Sequence, residues 1–281
     1  MDTRTIAIVG IDGSGKTTVI RRMLERLPSR WDVVGLINCP DYHEIPNAPL
    51  AQLSRDLDAF SQIADGLGDF QLKGVALYLQ MTLYGPLSRF VVDTFHPRLL
   101  LSARHAVFDS LAYGSLYANI MKKPLDRARH EAALRERMEQ YRAGSYDALL
   151  QWSAHIARRV GCDEEFWRLD RHVLEVFSNS GRELVTVLER EYQTALPDAV
   201  IFMDTPAETA QARIEGRQEK TQELHERSDM LAMIRRNYLD ALSLLHVAYP
   251  DIETHVVNTG DGGGIDHTVD EVIQRANIDV S

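Results

Sequence analysis

The run Gly10-Ile11-Asp12-Gly13-Ser14-Gly15-Lys16-Thr17 fits the pattern G-x-x-x-x-G-K-[ST]. That pattern dictates its surroundings: a buried strand must lead into it and a helix must leave it. Both are present. Thr5–Val9 is a short, β-branched apolar run, and Val19, Ile20, Met23, Leu24 and Leu27 recur at helical spacing. A strand–loop–helix unit of this kind starts a parallel α/β sheet rather than a bundle or a sandwich.

The loop's residues define its chemistry. Gly10, Gly13 and Gly15 permit backbone dihedrals and close approaches that a side chain blocks. The freed amides, those of Ser14 and Thr18 included, are candidates to cradle phosphate at the positive end of the helix dipole. Lys16 is expected to reach the outer phosphates, and the Thr17 hydroxyl to ligate Mg²⁺.

Further strands are expected at 33–37, 106–109, 199–204 and 254–258, alternating with helices. The fold class that follows is a five-stranded parallel sheet flanked by helices, with an enlarged helical region at about 121–193. The chain reads as a single domain over 1–281. Amphipathic patterns cover 48–60 and 70–95, the second kinked or divided at Gly85-Pro86. Polar Asp41, His43 and Glu44 follow strand two, at the sheet edge where ligands bind, or form an ordinary solvated loop. Asp109 ends the apolar run Ala106-Val107-Phe108. It is a candidate at the Mg²⁺ or phosphate edge; the plainer alternative is an N-cap for the next helix. Arg213 and Arg217 lie four apart on one helix face, ahead of a polar, flap-like segment at about 213–229.

Composition closes other doors. Formal net charge is −10, which disfavours a general nucleic-acid or anionic-membrane binder. Two cysteines, Cys39 and Cys162, do not make a disulfide framework. No run reaches membrane-span length and no charged-then-apolar leader is present. A cytoplasmic protein is expected.

Four places together resemble the thymidylate kinase branch of P-loop nucleoside and nucleotide kinases. They are Gly10–Thr18, with acidic Asp12 in the loop; Phe108-Asp109-Ser110; Pro197-Asp198 through Asp204 to Arg213-Ile214-Glu215-Gly216-Arg217; and, more weakly, His225-Glu226 with Tyr238. The resemblance implies ATP- and Mg²⁺-dependent phosphoryl transfer to a small-molecule acceptor, a dTMP-like nucleoside monophosphate first. It implies that Arg213 and Arg217 offset charge during transfer, that Asp12 contacts the acceptor, that Asn258–Asp261 borders adenine, and that the chain is a homodimer.

The departures from that family fall at the acceptor. Ser110 stands where the family has an arginine after its strand-three acid. Asn38-Cys39-Pro40 replaces its R-E-P, and the nearest second arginine is Arg89. A phosphate dianion is normally held by forked arginines. The acceptor is therefore held by other arginines, or it is a hydroxyl-bearing molecule without phosphate. A nucleotide-binding switch that has lost transfer is the reading from another class.

Overall fold

The computed structural model describes residues 3–27, 33–36, 39–45, 47–121, 123–162, 165–216, 228–260 and 263–278. They divide into two compact units. One comprises 1–39, 87–113 and 195–281; the other comprises 40–86 and 114–194.

The first unit holds the sheet. Its strands are β1 (Arg4–Val9), β2 (Val33–Leu36), β3 (Leu99–Ala103), β4 (Ala199–Asp204) and β5 (Glu253–Asn258). They run parallel in the order β2-β3-β1-β4-β5. β1 is central, with Ile6 opposite Leu101 on β3 and Ala199 on β4. Because strand side chains alternate between faces, Ile6 and Ile8 fall on one side and Ala7 and Val9 on the other. All four are buried, as expected for a sheet covered on both faces.

Helix α1 (Lys16–Arg26) buries Val19, Ile20 and Met23 in the first layer. Val269 and Val272, of the last helix (Gly264–Arg275), join the same core. On the other face, the rings of Phe202 and Tyr238 lie 5.4 Å apart, and Phe108 stacks on Tyr238 at 5.9 Å.

The strand-three expectation is corrected. Ala106–Asp109 is not a strand; it is the first turn of a helix spanning Ala106–Ile120. The strand is Leu99–Ala103, with every residue buried. A four-residue apolar run cannot be told from a buried helix turn by periodicity alone. The helical pair in 70–95 also divides earlier than expected, into Phe70–Met81 and Tyr84–Phe95. Pro86 thereby falls in a first helical turn, where its missing N–H costs no helix bond.

The second unit is helical. In chain order its helices are α2 (Ala51–Leu67), α3 (Phe70–Met81), then, past α4 (Tyr84–Phe95) and α5 (Ala106–Ile120), α6 (Arg127–Tyr141), α7 (Ser145–Val160), α8 (Leu169–Val176) and α9 (Gly181–Tyr192). The helical region expected at 121–193 thus shares its unit with 40–86. Gly68, left-handed at φ 65°, ends α2, and Asp69 caps α3 by accepting the Leu72 amide at 2.8 Å. A polar knot sits inside this unit. Glu191, fully buried, accepts from the Tyr78 hydroxyl at 2.6 Å and lies 2.9 Å from His172 Nε2. Burial works against ionising Glu191, yet the hydrogen bonds from His172 and Tyr78 outweigh it and keep its pKa below the ordinary carboxylate value.

The first unit is completed by α10 (Ala207–Glu215), α11 (Ser228–Ala248) and α12 (Gly264–Arg275). Arg217, and most of the segment expected to form a flap, lie outside the described residues. No helix among the described residues is long and apolar enough to cross a membrane.

Candidate active site

The phosphate loop occupies the turn between β1 and α1. Gly13 has φ +79°, and a Cβ there would stand 2.4 Å from the Ala210 carbonyl oxygen of α10. Only glycine fits such an approach, so this loop residue is fixed by packing as well as by dihedral. Gly15 is left-handed and precedes α1 without any side-chain cap. The first-turn amides of α1 are therefore not claimed by a capping side chain, which suits an anionic ligand.

Lys16 is buried and folded back. Its ammonium donates to the carbonyl oxygens of Gly10 and Ile11, each at 2.8 Å, and lies 3.4 Å from Ser14 Oγ. A buried ammonium must have acceptors. Here the loop's own carbonyls serve, and phosphate oxygens are the chemical group that could replace them. Thr17 is half-buried in the first turn of α1, and Thr18 is exposed. No group of three or more His, Cys, Asp or Glu side chains arranged for a metal occurs among the described residues. The donor set fits Mg²⁺, which takes one or two protein ligands and completes its shell with phosphate and water. Thr17, in the first turn of α1, is the residue that would supply such a ligand.

Beside the loop lies a cluster centred on Arg104, the residue directly after β3. Its amide continues the ladder to Ile8 of β1 at 3.0 Å, while φ of 80° puts it in the left-handed region. The Ser102 hydroxyl bonds the Arg104 carbonyl and holds that turn. A non-glycine residue kept there stores strain, of a kind that clusters at functional sites. The Arg104 guanidinium donates to Asp12 of the loop, reaches Asp109 at 3.3 Å, and sits 5.2 Å from the Tyr113 ring centre. Asp12 also accepts from the Tyr113 hydroxyl at 3.0 Å.

Asp109 is wholly buried in the first turn of α5. It accepts from the Tyr238 hydroxyl and, at 2.5 Å, from the His105 amide. Its carboxylate bonds back to the His105 amide just ahead of α5 and pairs with Arg104, so both of its oxygens have partners within the protein. Burial alone would push the Arg104 pKa down, but Asp12 above all, then Tyr113, Tyr238 and Asp109, raise it, so the guanidinium stays charged. Burial raises Tyr113, and burial with Asp109 raises Tyr238, so both phenols stay neutral.

Arg213 is exposed on α10 and already spans two carbonyls, that of Thr259 at 2.7 Å and that of Gly13 at 3.4 Å. It thus ties the loop to the end of β5. Asn258 is exposed at that end, its side chain accepting the Gly260 amide at 2.9 Å. Arg235 of α11 forks Asp204, at the end of β4, at 2.5 and 2.7 Å. Of the expected residues, the structure gathers Gly10, Asp12, Gly13, Ser14, Gly15, Lys16, Thr17, Asp109 and Arg213 around the carboxyl edge of the sheet. Arg89 is exposed on α4, and Asp41, His43 and Glu44 belong to the second unit.

Arg104, Tyr113 and Arg235 are absent from the sequence reading. The signal for Arg104 was available: Leu99-Leu100-Leu101-Ser102-Ala103 is as apolar as β1 and β4, and an arginine follows it. With strand three so placed, its end carries an arginine, Arg104, six residues before Ser110.

No known protein family and no curated protein matches this chain. Among solved structures, a deoxyadenosine kinase from M. mycoides, determined with the products dCMP and a flexible dCDP, matches with a TM-score of 0.51. The two share 12% identity over 97% of this chain and 98% of that one. The same kinase with bound dATP gives a TM-score of 0.46 at 14% identity, over 98% and 99%. The first likeness establishes a fold shared with that kinase.

Proposed function

We propose that this protein is an ATP- and Mg²⁺-dependent kinase whose acceptor is an uncharged, nucleoside-like molecule phosphorylated on a hydroxyl. The observation that carries the choice of acceptor is the position of Arg104 between Asp12 and Asp109. Two carboxylates against one guanidinium leave the cluster with a formal charge of −1. An arginine so engaged offers little to a phosphate dianion, which would also meet the Asp12 carboxylate beside it. An alcohol has no such penalty, and it gains a carboxylate that accepts a hydrogen bond from its hydroxyl. Of the two acceptors the sequence leaves open, a nucleoside monophosphate and a hydroxyl-bearing molecule without phosphate, this reading takes the second. The thymidylate-kinase-like subtype is correspondingly not part of the proposal.

Bound at the loop, Mg·ATP supplies the phosphoryl group and the metal that offsets its charge. The chain's residues do the rest. Lys16 exchanges the Gly10 and Ile11 carbonyls for phosphate oxygens. The α1 amides and Thr17 hold the triphosphate end. Arg213 is poised at the loop to meet charge that builds during transfer, and Arg217 is assigned the same role from the sequence. Asp12, the cluster's partly exposed carboxylate, orients the acceptor hydroxyl and is the candidate to take its proton as the new P–O bond forms.

The test is ADP release from Mg·ATP across nucleosides, nucleoside monophosphates and sugars, with Lys16→Ala protein as the control for contaminating kinases. Acceptor-dependent release with an uncharged nucleoside is expected. Release with none of the acceptors would leave only nucleotide binding.

A further inference from the structure

We propose that Asp109 is a specificity-determining residue that excludes phosphorylated acceptors by holding Arg104 electrically satisfied. The inference rests on the uncharged-acceptor reading above and assigns that selectivity to one side chain.

The geometry separates the roles of the two carboxylates around Arg104. Asp12 retains 17% side-chain exposure and lies in the phosphate loop, where a ligand can touch it. Asp109 has none, so no ligand reaches it. Its influence passes only through Arg104, whose side chain is 14% exposed. Asp109 is also over-determined in place. Tyr238 and the His105 amide hold its carboxylate, while Phe108, Phe202 and Tyr113 pack around the Tyr238 ring at 5.9, 5.4 and 6.0 Å. A fixed charge in a low-dielectric pocket acts more strongly than one in water. With Lys16 directed at the loop carbonyls, Arg104 is the cluster's cation nearest the Asp12 carboxylate. Removing the Asp109 charge takes the cluster from −1 to 0 and gives Arg104 back to an incoming phosphate. Removing the Tyr238 hydroxyl leaves every formal charge unchanged.

The experiment compares wild type with Asp109→Asn, Asp109→Ser and Tyr238→Phe. Two quantities are read: affinity for 2′-deoxycytidine and for its 5′-monophosphate, by calorimetry on protein saturated with a non-hydrolysable ATP analogue, whose γ-phosphate occupies the place of the product phosphate, and the kcat/KM ratio for the same pair. Asp109→Asn or Asp109→Ser should shift both ratios at least about tenfold toward the monophosphate, whereas Tyr238→Phe should stay within about twofold of wild type. Equal weakening of both ligands by the Asp109 variants would make Asp109 a packing residue and overturn the proposal. So would an equal shift in Tyr238→Phe, or failure of both Asp109 variants to fold. Wild type preferring the monophosphate would instead refute the uncharged-acceptor reading. The two failures are thus distinguishable.

Discussion

Arg104 donates to Asp12 across 92 residues of sequence and so joins the end of β3 to the phosphate loop. The same guanidinium reaches Asp109, which is wholly buried. Taking the arginine away leaves a buried carboxylate with no cation paired to it among the described residues. Arg104→Ala should therefore destabilise the fold by about 3–5 kcal/mol, read from urea unfolding. A loss below about 1 kcal/mol would mean that Tyr238 and the His105 amide suffice for Asp109.

Lys16→Ala should abolish phosphoryl transfer, by at least about a hundredfold, while circular dichroism and thermal unfolding stay close to wild type. The ammonium bonds the Gly10 and Ile11 carbonyls and lies beside Ser14, all within the loop itself. Retained turnover would remove the phosphate loop from the chemistry.

Gly13→Ala tests the packing of the loop rather than its charge. The added methyl meets the Ala210 carbonyl at 2.4 Å on a left-handed backbone, so the loop must move. Weaker ATP binding together with a stability loss of about 1–3 kcal/mol is expected. Unchanged binding measured by calorimetry would show that the contact between the loop and α10 is slack.

His105 should make the protein sensitive to mild acid. Burial, only partly offset by a hydrogen bond with the Ala195 backbone, lowers its pKa from the ordinary 6.5 to about 3. In the unfolded chain the ring takes up a proton as pH falls below about 6.5. The folded chain refuses that proton until about pH 3. The stability tied to the neutral ring is thus complete above the unfolded value. It is lost progressively as pH falls toward the folded one, by on the order of a few kcal/mol. Thermal midpoints measured between pH 7 and 4 should fall less steeply for His105→Gln than for wild type. Parallel curves would assign the acid loss to other groups.

The loop, β1, β4 and the helical character of 121–193 were legible because each carries its own signal: a glycine spacing, a β-branched run, a 3.6-residue period. The site's centre was not legible, because Arg104, Asp109 and Tyr238 are brought together by long-range packing of β3, α5 and α11. One local ambiguity compounded this. Ala106-Val107-Phe108 reads as a strand end, yet the apolar residues there belong to a helix turn buried against Tyr238. Placing strand three at Leu99–Ala103 puts Arg104, which the apolar pattern alone does not single out, at the strand's end. Arg213 was found by its spacing from Arg217, but its bonds to Thr259 and Gly13 follow from tertiary structure alone.

The most direct measurement is a competition in one vessel. Mg·ATP, 2′-deoxycytidine and isotopically labelled 2′-deoxycytidine 5′-monophosphate, at equal concentrations, are incubated with the protein, and the products are resolved by mass spectrometry; other nucleoside pairs follow if the ADP screen favours them. The account predicts unlabelled monophosphate as the product, with labelled diphosphate at background. Labelled diphosphate as the main product would contradict it, because Arg104 would then be serving a phosphate despite both of its carboxylates.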